Sequence, residues 1–357
     1  MNDNLNYLSQ QLAAATADKK AVRIRGGGTK DWYGQALQGE ILDTSAYAGI
    51  IAYDPTELVI TVRCGTRLSD LEVALTEHNQ MLPFEPPRFG ADSTIGGVVA
   101  SGLSGPRRQA VGAVRDFVLG AVLLDGKGEA LHFGGQVMKN VAGYDVSRLL
   151  AGSMGILGLI AEISLKVLPK PFAEQTLRFD MTQADAIHHL NAWGGQPLPI
   201  SASAWHDGVL MLRLSGAQAA VQAVQGKLGG DIIAEEQANA LWESLRDQQM
   251  SFFTELNSQT ALWRISLPSV APALTLPGEQ LIEWGGALRW LKTDADASVV
   301  RAAAAKAGGH ATLYRGGDKQ VGVFHPLAPA VDRIHRNLKA AFDPAGVINP
   351  GRMYPDF

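Results

Sequence analysis

Ser93-Thr94-Ile95-Gly96-Gly97-Val98-Val99-Ala100-Ser101-Gly102 is the stretch on which the fold turns. It is made of small residues and reads as too polar and too rich in glycine for an ordinary helix or strand. Each Gly loses more backbone entropy on folding than Ala does, so such a run is kept where the main chain must come close to something. Working outward, Gly105, Gly112 and Gly120 follow, and Arg115-Asp116-Phe117-Val118 leads into a strand. Further on stand Gly143-Tyr144-Asp145 and Leu150-Ala151-Gly152-Ser153-Met154-Gly155-Ile156-Leu157-Gly158-Leu159-Ile160. Upstream, residues 21–25 predict a short apolar and basic strand that runs into Gly26-Gly27-Gly28-Thr29. Three glycines after a strand can turn their amides around an anion, with the Thr29 hydroxyl as a further donor, or can make a plain loop. Together these runs read as a backbone cradle for a large, flat, phosphate-bearing cofactor.

The 357 residues are enough for two domains, or three, each with its own core. A hydrophobic fraction of 46% and a charged fraction of 18% belong to a soluble globular chain. The net charge of −4 gives no electrostatic reason to expect nucleic acid. A single cysteine, Cys64, excludes an intramolecular disulfide and a self-contained iron–sulfur cluster, and it points to a reducing compartment. The polar, acidic start does not read as a signal peptide. No stretch approaches the roughly 20 apolar residues of a membrane span, so membrane contact is expected only through partners.

Leu5, Leu8 and Leu12 at helical spacing predict a helix over residues 4–16. Residues 57–63 predict a strand, and Ser69-Asp70-Leu71-Glu72 has capping-box spacing for the helix after it. Residues 117–124 and 129–133 predict a hairpin about Asp125-Gly126-Lys127-Gly128. Over 161–167 apolar residues alternate with Glu162, Ser164 and Lys166, which predicts a strand with one wet face, ended by Pro169 and Pro171. A domain boundary is placed there. Beyond it, a strand over 176–180, a helix over 183–193, strands over 200–205 and 209–214 and a helix over 217–228 suggest a small antiparallel sheet with helices on one face. Strands over 262–267, 281–284 and 287–291 and an Ala-rich helix over 297–307 follow. The last helix, over 329–342, is expected to carry Arg333, Arg336 and Lys339 on its wet side before residues 343–352 end in turns.

At this point the residues resemble a known family, the flavoproteins with an FAD-binding domain of the vanillyl-alcohol oxidase and p-cresol methylhydroxylase (PCMH) type. The likeness rests on Arg25-Gly26-Gly27-Gly28-Thr29, Thr94-Ile95-Gly96-Gly97 with Gly102, Gly112-Ala113-Val114-Arg115-Asp116, and the run from Gly152 through Ile160. It covers about residues 20–170, and Asn349-Pro350-Gly351-Arg352 is a second match near the C-terminus. Each piece is weak alone; four in order at family spacing are specific. The resemblance implies an α+β fold: a two-subdomain PCMH-type FAD-binding domain over 1–170, a truncated α+β cap on the substrate side over 171–342, and a segment over 343–357 that returns to the FAD domain.

Residue by residue, the resemblance implies pyrophosphate loops at Arg25, Gly26, Gly27, Gly28 and Thr29 and at Thr94, Ile95, Gly96 and Gly97. Ser101, Gly102 and Gly105 would continue along the cofactor. Gly112, Asp116 and Val118 would line its ribityl and adenine side, Gly155, Gly158 and Ile160 would close it through backbone contacts, and Asn349 would return to the flavin. Relatives that bond FAD covalently carry a His where this chain reads Thr29-Lys30, so dissociable FAD is expected. The segment between His310 and His325 lacks the His-x-Gly-Asp-Gly-x-x-His type of spacing used by metal-dependent relatives, and no metal is expected.

Lys139-Asn140-Val141-Ala142-Gly143-Tyr144-Asp145 and the short second domain are most similar to the FAD-binding subunits of bacterial glycolate oxidase complexes. That likeness implies oxidation of glycolate to glyoxylate, with glycolate or a related small 2-hydroxy acid as the small-molecule partner. It also implies two partners, a larger flavin-bearing subunit and an iron–sulfur subunit that passes electrons to quinone. The expected place is the cytoplasm, including the inner face of the plasma membrane by way of partners. Two other readings stay open: a stand-alone FAD-linked 2-hydroxy-acid dehydrogenase, and a non-catalytic assembly subunit that kept the flavoprotein fold. No catalytic residue is assigned. His206 reads as a base or as an exposed turn histidine, Arg107-Arg108 as phosphate ligands or as a solvated loop, and Trp284 and Trp290 as flavin or partner contacts or as core. Tyr144 reads as a site residue or as a brace, and His188-His189 lacks the i, i+4 pairing of a metal site.

Overall fold

Leu5, Leu8, Leu12 and Ala15 lie on one face of the helix Asp3–Asp18, where they pack with Leu42, Val122, Leu124 and Leu159. The computed structural model in which this packing is seen describes residues 3–135, 145–256 and 259–357. The stretch Lys139-Asn140-Val141-Ala142-Gly143-Tyr144 therefore lies outside the described residues. The chain divides into two units: Met1–Leu103 with Ala113–Pro169 and Pro326–Phe357, and Ser104–Gly112 with Lys170–His325.

In the first unit a five-stranded antiparallel sheet runs in the order Ile50–Asp54, Val59–Arg63, Leu159–Lys166, Val118–Leu124, Ala130–Gly134. Its last two strands form the hairpin expected about the Asp-Gly-Lys-Gly turn, in a register that pairs Leu124 with Ala130. Leu159–Lys166 is the central strand, and its expected wet face is only partly wet: Glu162 and Lys166 are half-buried, while Ser164 is buried and its hydroxyl meets that of Thr61 at 2.9 Å. A second small sheet pairs Val22–Arg25 in parallel with Glu40–Asp43, and Val22 also bridges to Ile348, which brings the C-terminus against the first strand.

Three local expectations are corrected. Residues 93–102 are not irregular, because Ile95–Ser101 is a helix: the Thr94 hydroxyl caps it by accepting from the Gly97 amide, and Ile95, Val98 and Val99 are buried. The helix Leu68–Glu77 starts ahead of Ser69 and has Arg67 at its N-cap with no side-chain cap, so the capping box is not used. In the helix Pro329–Phe342, Lys339 is buried rather than wet. Its ammonium donates to Asp343 at 2.6 Å and to the carbonyls of Ile156 at 2.8 Å and Ile348 at 2.6 Å. Those bonds seat the helix end in the first unit, whereas the boundary expected from sequence falls at residue 342.

The second unit is one eight-stranded antiparallel sheet, larger than expected. Its order is Asp231–Ile233, Ala173–Asp180, Val209–Gly216, Ile200–His206, Glu279–Glu283, Leu288–Thr293, Ala261–Ser266, His310–Arg315. The helices Gln183–Gly194 and Gln218–Leu228 cover Leu177, Leu210, Leu212 and Leu214, while Ala297–Lys306 covers Trp263, Ile265, Ala311 and Leu313. Each buried Leu or Ile among them contributes about 1.5–3 kcal/mol. Thr176 and Arg213 are cross-strand partners, and the Trp242 indole of the helix Glu235–Arg246 donates to the Thr176 hydroxyl at 2.8 Å. The segment Ser104–Gly112 belongs to this unit through three ties. The Trp284 indole donates to the Gly105 carbonyl at 3.0 Å, Arg107 pairs with Glu174, and the Ser203 hydroxyl donates to Gln109 at 3.3 Å.

Candidate cofactor cleft

The strand Val22–Arg25 delivers the glycine loop, and residues 92–97, which enter the helix Ile95–Ser101, meet it. A Cβ placed on Gly27 would fall 1.6 Å from the Asp92 carbonyl oxygen, and one on Gly26 would fall 2.3 Å from Thr94 Oγ1. Only residues without a side chain let these two loops close on each other. Together they form an open cleft of about 580 Å³ lined by Arg25, Gly26, Gly27, Gly28, Thr29, Thr94, Gly97, Ser101 and Asn349. Nine of the residues expected from sequence therefore come together, drawn from three distant parts of the chain.

Within the cleft the main-chain amides of Gly27, Gly28 and Thr29 have no acceptor among the described residues. The Gly97 amide has only a slack bond to Thr94 Oγ1 at 3.4 Å. Donors left bare on the wall of a cleft, with the Arg25 guanidinium packed against Gly28, suit a polyanion such as a diphosphate. FAD thus fits the residues present, on the donor set and on the glycine wall.

Asn349 lines the cleft and also builds it. Its Oδ1 accepts from the Ile24 amide at 2.7 Å, its Nδ2 donates to the Met154 carbonyl at 2.8 Å, and its own amide donates to the Val22 carbonyl at 2.8 Å. This one residue ties the first strand, the loop around Met154 and the C-terminus together.

The other expected residues sit in the surrounding scaffold. Ile95 is buried, and the amides of Ile95, Gly96 and Gly102 donate to the carbonyls of Thr66, Cys64 and Val98. Gly105 and Gly112 lie in the second unit. The Asp116 carboxylate accepts from the Ala113 amide at 2.8 Å, and Val118 and Ile160 are buried in their strands. Gly155 donates to Ser153 Oγ at 3.3 Å, and Gly158 packs on Leu123 and the Leu124 carbonyl.

Sequence reasoning passed over Ile24, Lys30, Asp31, Leu37, Ala100, Met154 and Arg352, which also line the cleft. Lys30 was visible only as the residue standing where covalent relatives have their His. Burial pushes its ammonium down to about 8. Arg352 closes the motif at the C-terminus; burial lowers it to about 10, and its guanidinium donates to the carbonyls of Asp31 at 3.1 Å, Lys30 at 3.3 Å and Gln35. Arg352 thus straps the loop after the glycines, a role that no sequence spacing signals. Arg25 Nε pairs with Asp31 at 2.9 Å.

Several open readings close on structural partners. His206 Nε2 meets Glu279 at 2.8 Å, and Trp290 donates to Glu283 at 2.7 Å. Trp284 is buried with the guanidiniums of Arg108 and Arg264 at 4.1 and 5.2 Å from its ring. Arg107 is held by Glu174 and is not a solvated loop residue. His310 and His325 stand with ring centroids 6.3 Å apart, and no group of three metal-ligating side chains occurs among the described residues. No helix among those residues is long and apolar enough to cross a membrane.

Comparison with known proteins gives the following likenesses. Residues 3–134 match a family model described as FAD binding domain. The chain is 50% identical over 354 residues to the glycolate oxidase subunit GlcE of Escherichia coli (strain K12), covering 99% of this chain and 98% of that one. It is 25% identical over 425 residues to the glycolate oxidase subunit GlcD of Bacillus subtilis (strain 168), covering 98% and 87%. Among solved structures, an alkyldihydroxyacetonephosphate synthase aligns with a TM-score of 0.66 at 14% identity, over 97% of this chain and 74% of that one. At that identity the structural likeness speaks for the α+β fold alone.

Proposed function

The chain belongs to the glycolate oxidase subunit GlcE family, and on that footing we propose that it binds FAD in the cleft between the Gly26–Thr29 loop and Gly97. It does so as the FAD-binding subunit of a complex that oxidises glycolate to glyoxylate. The observation that carries the reading is the set of bare amides at Gly27, Gly28 and Thr29, converging on one hollow with Gly97. FAD supplies the acceptor for the two electrons taken from the alcohol carbon.

The chain's own residues bind and orient. The glycine wall gives short donors to the diphosphate without steric bulk. Asn349 and Arg352 fix the wall's position from the C-terminus. Thr29 offers no imidazole for a covalent bond, so the cofactor is held without one. Cys64 is buried and its thiol is pushed up to about 12 by burial, which keeps it out of metal and redox chemistry. Electron transfer to quinone therefore falls to partners, a larger flavin subunit and an iron–sulfur subunit, and any contact with the membrane is through them.

Purified protein is expected to be yellow, to release its flavin on denaturation, and to melt higher with added FAD. Colourless protein with no thermal shift would sink the reading. Flavin reduction by glycolate, followed in the isolated chain and again in the assembled complex, separates the roles. Turnover by the chain alone favours a stand-alone dehydrogenase. A Gly97→Trp variant that assembles and leaves complex activity whole favours an assembly role.

A further inference from the structure

We propose that Lys30 is the cationic ligand of the cofactor's diphosphate, and that it takes up a proton with the cofactor so that FAD affinity is set by pH. The inference rests on the cofactor reading above and goes beyond it to a side chain and a device. Its ground is where the ammonium lies and what faces it. Lys30 stands immediately after the bare amides and lines the same cleft. Nζ donates to Ser93 Oγ at 2.9 Å and to Thr29 Oγ1 at 3.4 Å, and it lies 5.8 Å from the centre of the Phe89 ring. All of these partners are neutral.

The nearby carboxylates are turned elsewhere. Asp31, its neighbour in sequence, pairs with Arg25 Nε at 2.9 Å, and Asp92 on the facing loop pairs with Arg67 at 3.3 Å. Two other cations line the cleft and both have partners: the Arg25 guanidinium lies against Gly28 and is paired through Nε with Asp31, and Arg352 donates to main-chain carbonyls, those of Lys30 and Asp31 among them. A desolvated ammonium with two hydroxyls and an aromatic ring for company is costly to keep charged, and burial brings it down to about 8. Such a group is explained by an anion that arrives from outside. A diphosphate beside it favours the charged form and raises its pKa in the complex. Affinity is then whole below the free protein's value of about 8, where the ammonium is already charged, and falls as pH rises through it, where binding draws up to one proton from solvent into the complex.

The test is the FAD dissociation constant, read by quenching of flavin fluorescence at constant ionic strength from about pH 7 to about pH 9, with the midpoint potential of the bound flavin as a second readout. The wild-type chain is expected to lose about tenfold in affinity over that range. Lys30→Met should bind more weakly at pH 7, with a flat profile and an unchanged potential. Lys30→Arg, whose charge does not titrate there, should stay tight and flat. The apo Lys30→Met protein should melt no lower than wild type, since a buried charge has been removed. A flat wild-type profile with intact uptake, or a Lys30→Met variant that keeps the fall-off, overturns the inference alone. A shifted potential in Lys30→Met moves the ammonium to the flavin ring and overturns the diphosphate assignment. A wild-type chain that takes up no FAD at any pH overturns this inference and the cofactor reading together.

Discussion

Gly27 and Gly97 line the same cleft yet should answer differently to one added methyl group. On Gly27 it would fall 1.6 Å from the Asp92 carbonyl oxygen, which is main chain and cannot step aside. Gly27→Ala is therefore expected to cost about 3 kcal/mol or more by urea denaturation, and to lose FAD with it. On Gly97 the nearest atom is Thr94 Oγ1 at 3.4 Å, and the residue is already helical. Gly97→Ala should raise apo stability by up to about 1 kcal/mol while weakening FAD, because the methyl group stands before the amides. If melting rises and the dissociation constant stays put, the cofactor lies elsewhere. The glycine loops could be recognised in the sequence because their chemistry is in the backbone. The role of Asn349 as a tie, and the isolation of the Lys30 ammonium, depend on which partners the fold assigns to their neighbours, and no spacing records that. Asn349→Asp keeps the acceptor for Ile24 but turns an oxygen toward the Met154 carbonyl, an expected loss of about 1–3 kcal/mol in the same denaturation assay.

Elements were readable where a period of burial ran long, as in Asp3–Asp18, Gln183–Gly194 and Ala297–Lys306, and less so where one or two tertiary bonds decide. The helix Ile95–Ser101 has two glycines in seven residues and stands because Thr94 caps it and Val98 and Val99 are buried. In Pro329–Phe342 the helical period sends Lys339 outward, yet the fold folds it in. There it satisfies two carbonyls and Asp343, whose carboxylate in turn accepts from the amides of Val347 and Ile348. Lys339→Met should cost about 3–5 kcal/mol, because it leaves a buried carboxylate unpaired. Asp343→Leu added to it should restore only part, since the two amides then lack an acceptor. At the other element that sequence misplaced, the Ser104–Gly112 segment, Glu174 is the anchor. Burial raises its carboxyl, but Arg107 and then Arg213 outweigh burial and hold it below its ordinary value of 4.5. A depressed carboxyl contributes stability that is present above 4.5 and fades as pH falls through the folded-state value. An acid titration followed by tryptophan fluorescence should show the second unit loosening on that limb, and Glu174→Gln should flatten it.

At the scale of the molecule, the cleft joins segments far apart in sequence. The bond from the Ile24 amide to Asn349 spans 325 residues, and the Val22 amide reaches the Val347 carbonyl beside it. Contacts of such separation are invisible to periodicity, which is why the C-terminal motif could be placed near the cofactor by likeness but not given a mechanical role. Every residue that lines the cleft belongs to the first unit, in segments around residues 24–37, 94–101, 154 and 349–352. A ligand that bridges these segments stabilises them as one body. At a concentration 100 times its dissociation constant FAD should add about 2.7 kcal/mol to that unit. Hydrogen–deuterium exchange is the measurement that sees where the gain falls. Protection should rise together in Val22–Arg25, in Ile95–Ser101 and over residues 347–352, although the last of these lies far from the glycine loops in sequence. If FAD protects the glycine loop and leaves residues 347–352 exchanging as before, the Asn349 tie forms independently of the cofactor. The C-terminus would then support the fold without taking part in the site.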